Sequence, residues 1–224
     1  MTACYAGGDD ADEQSFDHLA LLTGRMKAAA LGPGIPTGPG MAALVARLAR
    51  ELRLPLVIDA DGLNLLGPDG VDGLGRAPAP RVLTPHPGEM ARLSRLSTEE
   101  VQRDRLGVAR QLAARSGAVV VLKGARTIIS RPDGSAFVNP AADPALGTAG
   151  SGDVLTGVIG GLLAQGLPAT DAAVIGVHAH GLAGAEARAQ LSSRNLMAGD
   201  LPEAIARVLE QLLRLREADG QRGG

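Results

Sequence analysis

The chain has 224 residues and a mass of 22.7 kDa, is 45% hydrophobic and 21% charged, and carries a net charge of −2. This is enough apolar material for one buried core and excludes global disorder, while the lack of excess positive charge and the three aromatic residues (Tyr5, Phe16, Phe137) argue against nucleic acid as a ligand. A lone Cys4 excludes an internal disulfide or thiolate zinc site, and the absence of a signal peptide or long apolar run predicts a cytoplasmic protein with no membrane span.

In chain order, residues 1–14 are rich in Gly and Asp and read as a flexible tail. Apolar residues at helical spacing follow from Phe16 to Lys27, then a short strand over 28–31 that breaks at Gly32-Pro33-Gly34. A helix is predicted over 41–52, a buried strand over 55–58 ending at Asp59, and a third strand over 81–83 running into Thr84-Pro85-His86-Pro87. Ser97 and Glu100 have the spacing of a capping box that opens one helix to about Arg115. The strand over 118–122 ends at Lys123-Gly124, and Arg131-Pro132-Asp133-Gly134 reads as a hairpin turn between two further short strands. Two Ala-rich helices, 153–164 and 170–189, follow the segment Gly147–Asp153, and Asp200 starts a last helix. One domain over 15–216 is expected, with residues 217–224 a second flexible tail. Strands alternating with helices imply an α/β fold with a mostly parallel sheet covered on both faces.

Ligands of open parallel sheets lie outside the carboxyl ends of the strands. Gly32–Gly38, Asp59–Asn64, Thr84–Glu89 and Lys123–Thr127 all leave strands at that edge, and Gly147–Asp153 opens a helix. In the last segment Gly147, Gly150 and Gly152 let backbone N–H groups converge at a helix N-terminus, an arrangement suited to phosphate. Asp153, directly after Gly152, would repel that anion unless it serves as a base for a hydroxyl attacking phosphorus. The alternative is a plain helix cap.

Lys123 could hold a nucleotide phosphate or could simply reach solvent. His86, between two prolines, could contact a substrate or cap the helix at 88–93. Asp59 and Asp61 could hold magnesium through water or orient a ribose, with Asp61 as a helix cap the rival reading. His178 and His180 are two apart in a helix, which rules them out as a metal pair and leaves core or surface positions. Gly38-Pro39-Gly40-Met41-Ala42-Ala43, with Asp59 21 residues after Gly38, approaches a dinucleotide fingerprint. The preceding strand ends too early for it, at Leu31.

With these motifs in place, the sequence resembles the ADP-dependent NAD(P)H-hydrate dehydratase family of the ribokinase-like superfamily. The resemblance rests on Leu31-Gly32-Pro33-Gly34, Val57–Leu66, Leu83-Thr84-Pro85-His86-Pro87-Gly88-Glu89-Met90, Val121–Thr127, Gly150–Gly157, His180-Gly181-Leu182-Ala183-Gly184 and Leu196–Asp200, and it covers roughly residues 16–215. It implies a three-layer α/β/α ribokinase-like fold, from which a first strand–helix unit is missing here. It also implies dehydration of (S)-NADHX or NADPHX to NADH or NADPH, driven by ADP or ATP with Mg2+.

Carried over to this chain, the resemblance makes Asp153 the catalytic residue and places Gly34, His86 and Asp153 at the hydrated dinucleotide. Lys123, Gly124, Ala125, Arg126, Thr127, Gly150, Ser151 and Gly152 would be placed at the adenine nucleotide, with no protein metal site. A homo-oligomer, with an NAD(P)H-hydrate epimerase as functional partner, is expected. Two other readings stay open: a ribokinase-like kinase of a small alcohol, and an inactive nucleotide-binding remnant.

Overall fold

The computed structural model describes residues 13–141, 143–191 and 196–222. Residues 1–12, with Cys4 and most of the expected first tail, lie outside it, as do 223–224. Six strands form one sheet in sequence order: β1 (Ala29–Leu31), β2 (Leu56–Ile58), β3 (Arg81–Leu83), β4 (Val119–Leu122), β5 (Ile128–Ser130) and β6 (Ala136–Val138). The first four are parallel, and the β4–β5 and β5–β6 pairs are antiparallel. The hairpin turns as expected, with the Gly134 amide donating to Arg131 O at 3.1 Å and Gly134 at φ 86°.

This strand order dictates where the helices go. Right-handed crossovers that always step to the next strand in the same direction place every connecting helix on one face. The connectors are α1 (Glu13–Leu22), which precedes β1, then α2 (Pro39–Glu51), α3 (Ala60–Gly70), α4 (Pro87–Ser94), α5 (Thr98–Arg103) and α6 (Arg105–Ser116). Their apolar sides share one core with Leu56, Ile58, Leu83, Val120, Leu122 and Ile128. The other face needs helices that follow the sheet in sequence. These are α7 (Ser151–Ala164) and α8 (Ala169–Leu191), packed on Val57, Val82, Val119, Val121 and Ile129. Alternate residues of β2 to β5 thus serve opposite cores, the two-residue period of a doubly covered strand. Finally α9 (Leu201–Arg222) packs on α8 through Leu201, Ala204, Ile205 and Val208, and stays helical beyond residue 216.

Two details differ from the sequence reading. The helix expected over 97–115 is two helices. The Ser97–Glu100 capping box opens the first, but Asp104 (φ −137°, ψ 65°) breaks it and caps α6 by accepting the Gly107 amide at 2.8 Å. The helix after β2 starts at Ala60, so Asp61 lies inside its first turn and does not cap it.

Candidate functional site

The carboxyl ends of β1 to β4 face one edge, and the four loops leaving them meet there. Gly32 makes the tightest contact. At φ 135° it packs so closely on Asp59 that a Cβ built on it would lie 1.8 Å from Asp59 O, so only glycine fits. Asp59 occupies the N-cap position of α3 without capping it: the turn is closed by its carbonyl, which accepts from Gly62 N at 2.9 Å. The carboxylate is instead fully buried. Its Oδ1 lies 2.6 Å from Lys123 Nζ, and its Oδ2 accepts the Thr156 hydroxyl at 2.7 Å. A buried charge requires such partners.

Lys123 therefore does not simply reach solvent. It spans from the end of β4 to Asp59, with Glu89 Oε2 3.9 Å away. A Cβ placed on Gly152 would be 3.2 Å from Nζ, so the ammonium lies under the first turn of α7. That turn opens at Gly150 in the left-handed conformation (φ 84°, ψ −9°). Ser151 N pairs with Thr148 O and Val154 N with Gly150 O, while the amides of Gly152 and Asp153 have no acceptor among the described residues. Two free amides at a helix N-terminus above an ammonium are an arrangement suited to a phosphoryl group. Asp153 lies beside them with its carboxylate exposed and unpaired among the described residues. The two aspartates thus differ: Asp59 is buried with a partner on each oxygen, and Asp153 is exposed and unpaired among the described residues.

His86 is a helix cap, one of its two expected roles. Its Nδ1 accepts from Gly88 N (3.0 Å) and Glu89 N (3.3 Å), and its own amide donates to Glu89 Oε2 at 2.7 Å. Nδ1 is therefore unprotonated, and Nε2 faces Glu89 Oε1 at 3.3 Å. Gly34 is at the same edge with open space around it (φ 71°). The near-fingerprint at 38–43 falls at the start of α2, seven residues beyond the end of β1, and makes no strand-to-helix phosphate turn.

Next to Lys123, a cavity of about 340 Å³ opens between the loop after β4 and helices α7 and α8. Of the eight expected nucleotide residues, Lys123, Gly124, Ala125, Thr127, Ser151 and Gly152 line it; Arg126 and Gly150 do not. Arg105, drawn down from the usual guanidinium range by burial, braces the loop from below by donating to the Leu122 and Lys123 carbonyls, each at 3.3 Å. Gly181 and Gly184 let Asn139 and Leu146 press on α8: a Cβ on Gly181 would meet Asn139 Nδ2 at 2.8 Å, and one on Gly184 would meet Leu146 Cγ at 2.7 Å. Asn139 fastens this wall, donating to Val177 O at 3.3 Å.

His180 also lines the cavity. It is buried, and its Nε2 lies 3.0 Å from Ser151 O, a contact that requires Nε2 to carry the proton. Burial lowers its pKa below the ordinary 6.5. Below pH 6.5 the unfolded chain therefore takes up a proton that the folded chain resists, and stability falls as pH drops through and below that value. His180→Gln should flatten this acid slope in urea titrations at several pH values, and an unchanged slope would assign it to other groups.

The sequence model of the NAD(P)H-hydrate dehydratase family matches residues 5–207. The chain belongs to that family. A bifunctional NAD(P)H-hydrate repair enzyme of Moorella thermoacetica is 45% identical over 198 residues, which is 88% of this chain and 37% of that protein. The ADP-dependent (S)-NAD(P)H-hydrate dehydratase of Neisseria meningitidis is 44% identical over 155 residues, 68% of this chain and 52% of that protein. The chain thus spans only about two fifths to half the length of these relatives. Among solved structures, the ADP/ATP-dependent NAD(P)H-hydrate dehydratase of Bacillus subtilis, co-crystallised with ATP/Mg2+, superposes with a TM-score of 0.74 at 30% identity, covering 88% of this chain and 70% of that one. The three-layer fold of this dehydratase-family chain is ribokinase-like. No helix among the described residues is long and apolar enough to cross a membrane.

Proposed function

We propose that the chain dehydrates (S)-NADHX and NADPHX to NADH and NADPH at the expense of ADP. The observation that carries this reading is the free Asp153 carboxylate beside two unpaired amides and the Lys123 ammonium. In this scheme Asp153 removes the proton from the ring hydroxyl, and the oxygen attacks the terminal phosphorus of ADP as the phosphoanhydride bond breaks and AMP leaves. The amides of Gly152 and Asp153, with Lys123, hold the transferring phosphoryl group. The ring nitrogen's lone pair then expels phosphate, a far better leaving group than hydroxide. Loss of a proton from the neighbouring carbon restores the dihydropyridine, so that ADP and the water of hydration leave as AMP and phosphate.

The adenosine part belongs in the cavity between Lys123–Thr127 and α8, and the hydrated ring on the side of Asp153 toward Gly34 and His86. The described residues contain no cluster of three or more His, Cys, Asp or Glu side chains fit to hold a metal. Magnesium accompanying the nucleotide would be held mainly by its phosphates, whose charge it would neutralise. The same reading carries a cytoplasmic homo-oligomer working with an epimerase.

The test is incubation with hydrated NADH and ADP. Return of dihydronicotinamide absorbance with one phosphate released per turnover supports the proposal. A stable phosphorylated alcohol from a small-alcohol substrate would favour a kinase, and ADP binding without turnover an inactive remnant. The cavity assignment has its own check. Gly184→Val should push Leu146 into the cavity, lowering stability by about 1–3 kcal/mol and weakening ADP binding in calorimetry. Unchanged ADP affinity would move the nucleotide elsewhere.

A further inference from the structure

We propose that Asp59 and Thr156 are positioning residues of the phosphate site, which together hold the Lys123 ammonium under the first turn of α7. The inference rests on the nucleotide-binding half of the reading above. Asp59 follows β2 and Lys123 ends β4, with β3 between them. At about 4.8 Å per strand the two backbones are roughly 10 Å apart. Left to itself, a lysine at a strand end would extend into solvent. Here it bends across the end of β3 because Asp59 Oδ1 draws it to 2.6 Å.

Asp59 is in turn held by Thr156, whose hydroxyl occupies Oδ2 at 2.7 Å, so the carboxylate cannot rotate away without losing a donor. Asp59 is fully buried and Thr156 is 2% exposed, whereas the Lys123 side chain is 18% exposed and lines the cavity. The chain of contacts therefore runs from a dry interior to one cation at the mouth of the site. One ammonium hydrogen is committed to Asp59, which leaves two for a phosphoryl oxygen.

Thr156 also ties down the helix that carries Asp153. Three residues apart, the two side chains are offset by about 60° around the axis. Fixing Thr156 against the sheet sets the rotation of α7 and hence the direction of Asp153. An apolar cluster of similar volume would stabilise the fold at least as well as a buried ion pair. What such a cluster could not do is place a cation.

The experiment reads ADP affinity by calorimetry, which does not depend on turnover. A purely structural Asp59 makes one prediction: Asp59→Asn removes a negative charge from beside the anion site, so a folded variant binds ADP as tightly as the parent or more so. Positioning predicts the opposite, a loss of about tenfold as the ammonium leaves its place. Thr156→Val, which keeps the shape and deletes the hydroxyl, should weaken ADP about fivefold, and Thr156→Ser should restore it to within about twofold. Should Asp59→Asn fail to fold, the Thr156 pair decides alone. Equal or tighter ADP binding in Asp59→Asn, or indistinguishable Val and Ser variants at 156, would overturn the proposal. If the parent binds ADP but leaves hydrated NADH untouched, the dehydratase reading fails while these affinities still test the positioning.

Discussion

Asp153→Asn is expected to lower turnover of hydrated NADH by about 10²–10⁴-fold, the usual contribution of a positioned general base, while ADP binds as tightly as before or more tightly. The two halves of this expectation come from the same geometry. Asp153 is exposed, unpaired among the described residues, and part of the first turn of α7. It does not brace the fold, so its replacement should leave the melting temperature nearly unchanged. Its charge lies next to amides that await an anion. In the proposed scheme, neutralising it removes a repulsion from the nucleotide and at the same time removes the group that accepts the hydroxyl proton. A helix-capping aspartate would behave differently: the Asn variant, itself a good cap, would turn over normally. Steady-state rates together with calorimetric ADP affinities separate the two, and wild-type turnover in Asp153→Asn would refute the assigned role.

The parts of this fold that were legible in the sequence are those governed by neighbours in the chain. The run Leu56-Val57-Ile58 could only be a strand covered on both faces, and it is buried throughout. Ser97 and Glu100 make both bonds of the capping box their spacing predicts. The break at Asp104 is not part of the single helix read from Ser97 to about Arg115, although an Asp three residues before Gly107 is a local cap signal. The strand order follows from short connections and uniform handedness, and it explains why α7 and α8 are left to cover the second face.

The site was legible in its loops and hidden in its pairings. Glycines and prolines at strand ends mark where the chain turns, and the turns do converge at one edge. What Asp59 does could not be read locally, because its partners Lys123 and Thr156 are 64 and 97 residues away. Asp59 therefore looked available for a metal or a ribose when both its oxygens are already taken. His180 reads in the sequence as a core or surface histidine, and it is buried. Its contact with Ser151, 29 residues upstream, shows only when α8 folds against α7. One local sign did exist: Gly181 and Gly184 interrupt an Ala-rich helix, and glycine on a helix face marks a surface approached by other backbone or side chains. Here that surface is the wall of the cavity.

The largest expected loss of stability lies away from the site, at Arg81. This residue begins β3 and is 2% exposed, with no carboxylate among its hydrogen-bond partners in the described residues. Nε donates to Ala49 O at 2.6 Å and Nη2 to Leu52 O at 2.7 Å, both carbonyls at the C-terminal end of α2. Nη1 reaches Leu54 O at 3.0 Å and Ala79 O at 2.8 Å, where the chain enters β2 and β3. The last carbonyls of a helix lack intrahelical partners and carry the negative end of its dipole, so a guanidinium there satisfies acceptors and charge together. Burial draws its pKa down to about 10, still far above neutrality, so the cation is kept at working pH. Arg81→Met preserves much of the packing volume but strips donors from four buried or half-buried carbonyls. At about 1–3 kcal/mol for each group left without a partner, and with water able to reach some of them, a loss of about 3–5 kcal/mol is expected. For a chain of this size that corresponds to a fall in melting temperature of at least about 6 °C. Arg81→Lys keeps the charge but lacks the planar fork, so it should fall between Met and the parent. Urea denaturation of the three proteins measures this directly, and a Met variant within about 1 kcal/mol of the parent would mean that water replaces the guanidinium at these carbonyls.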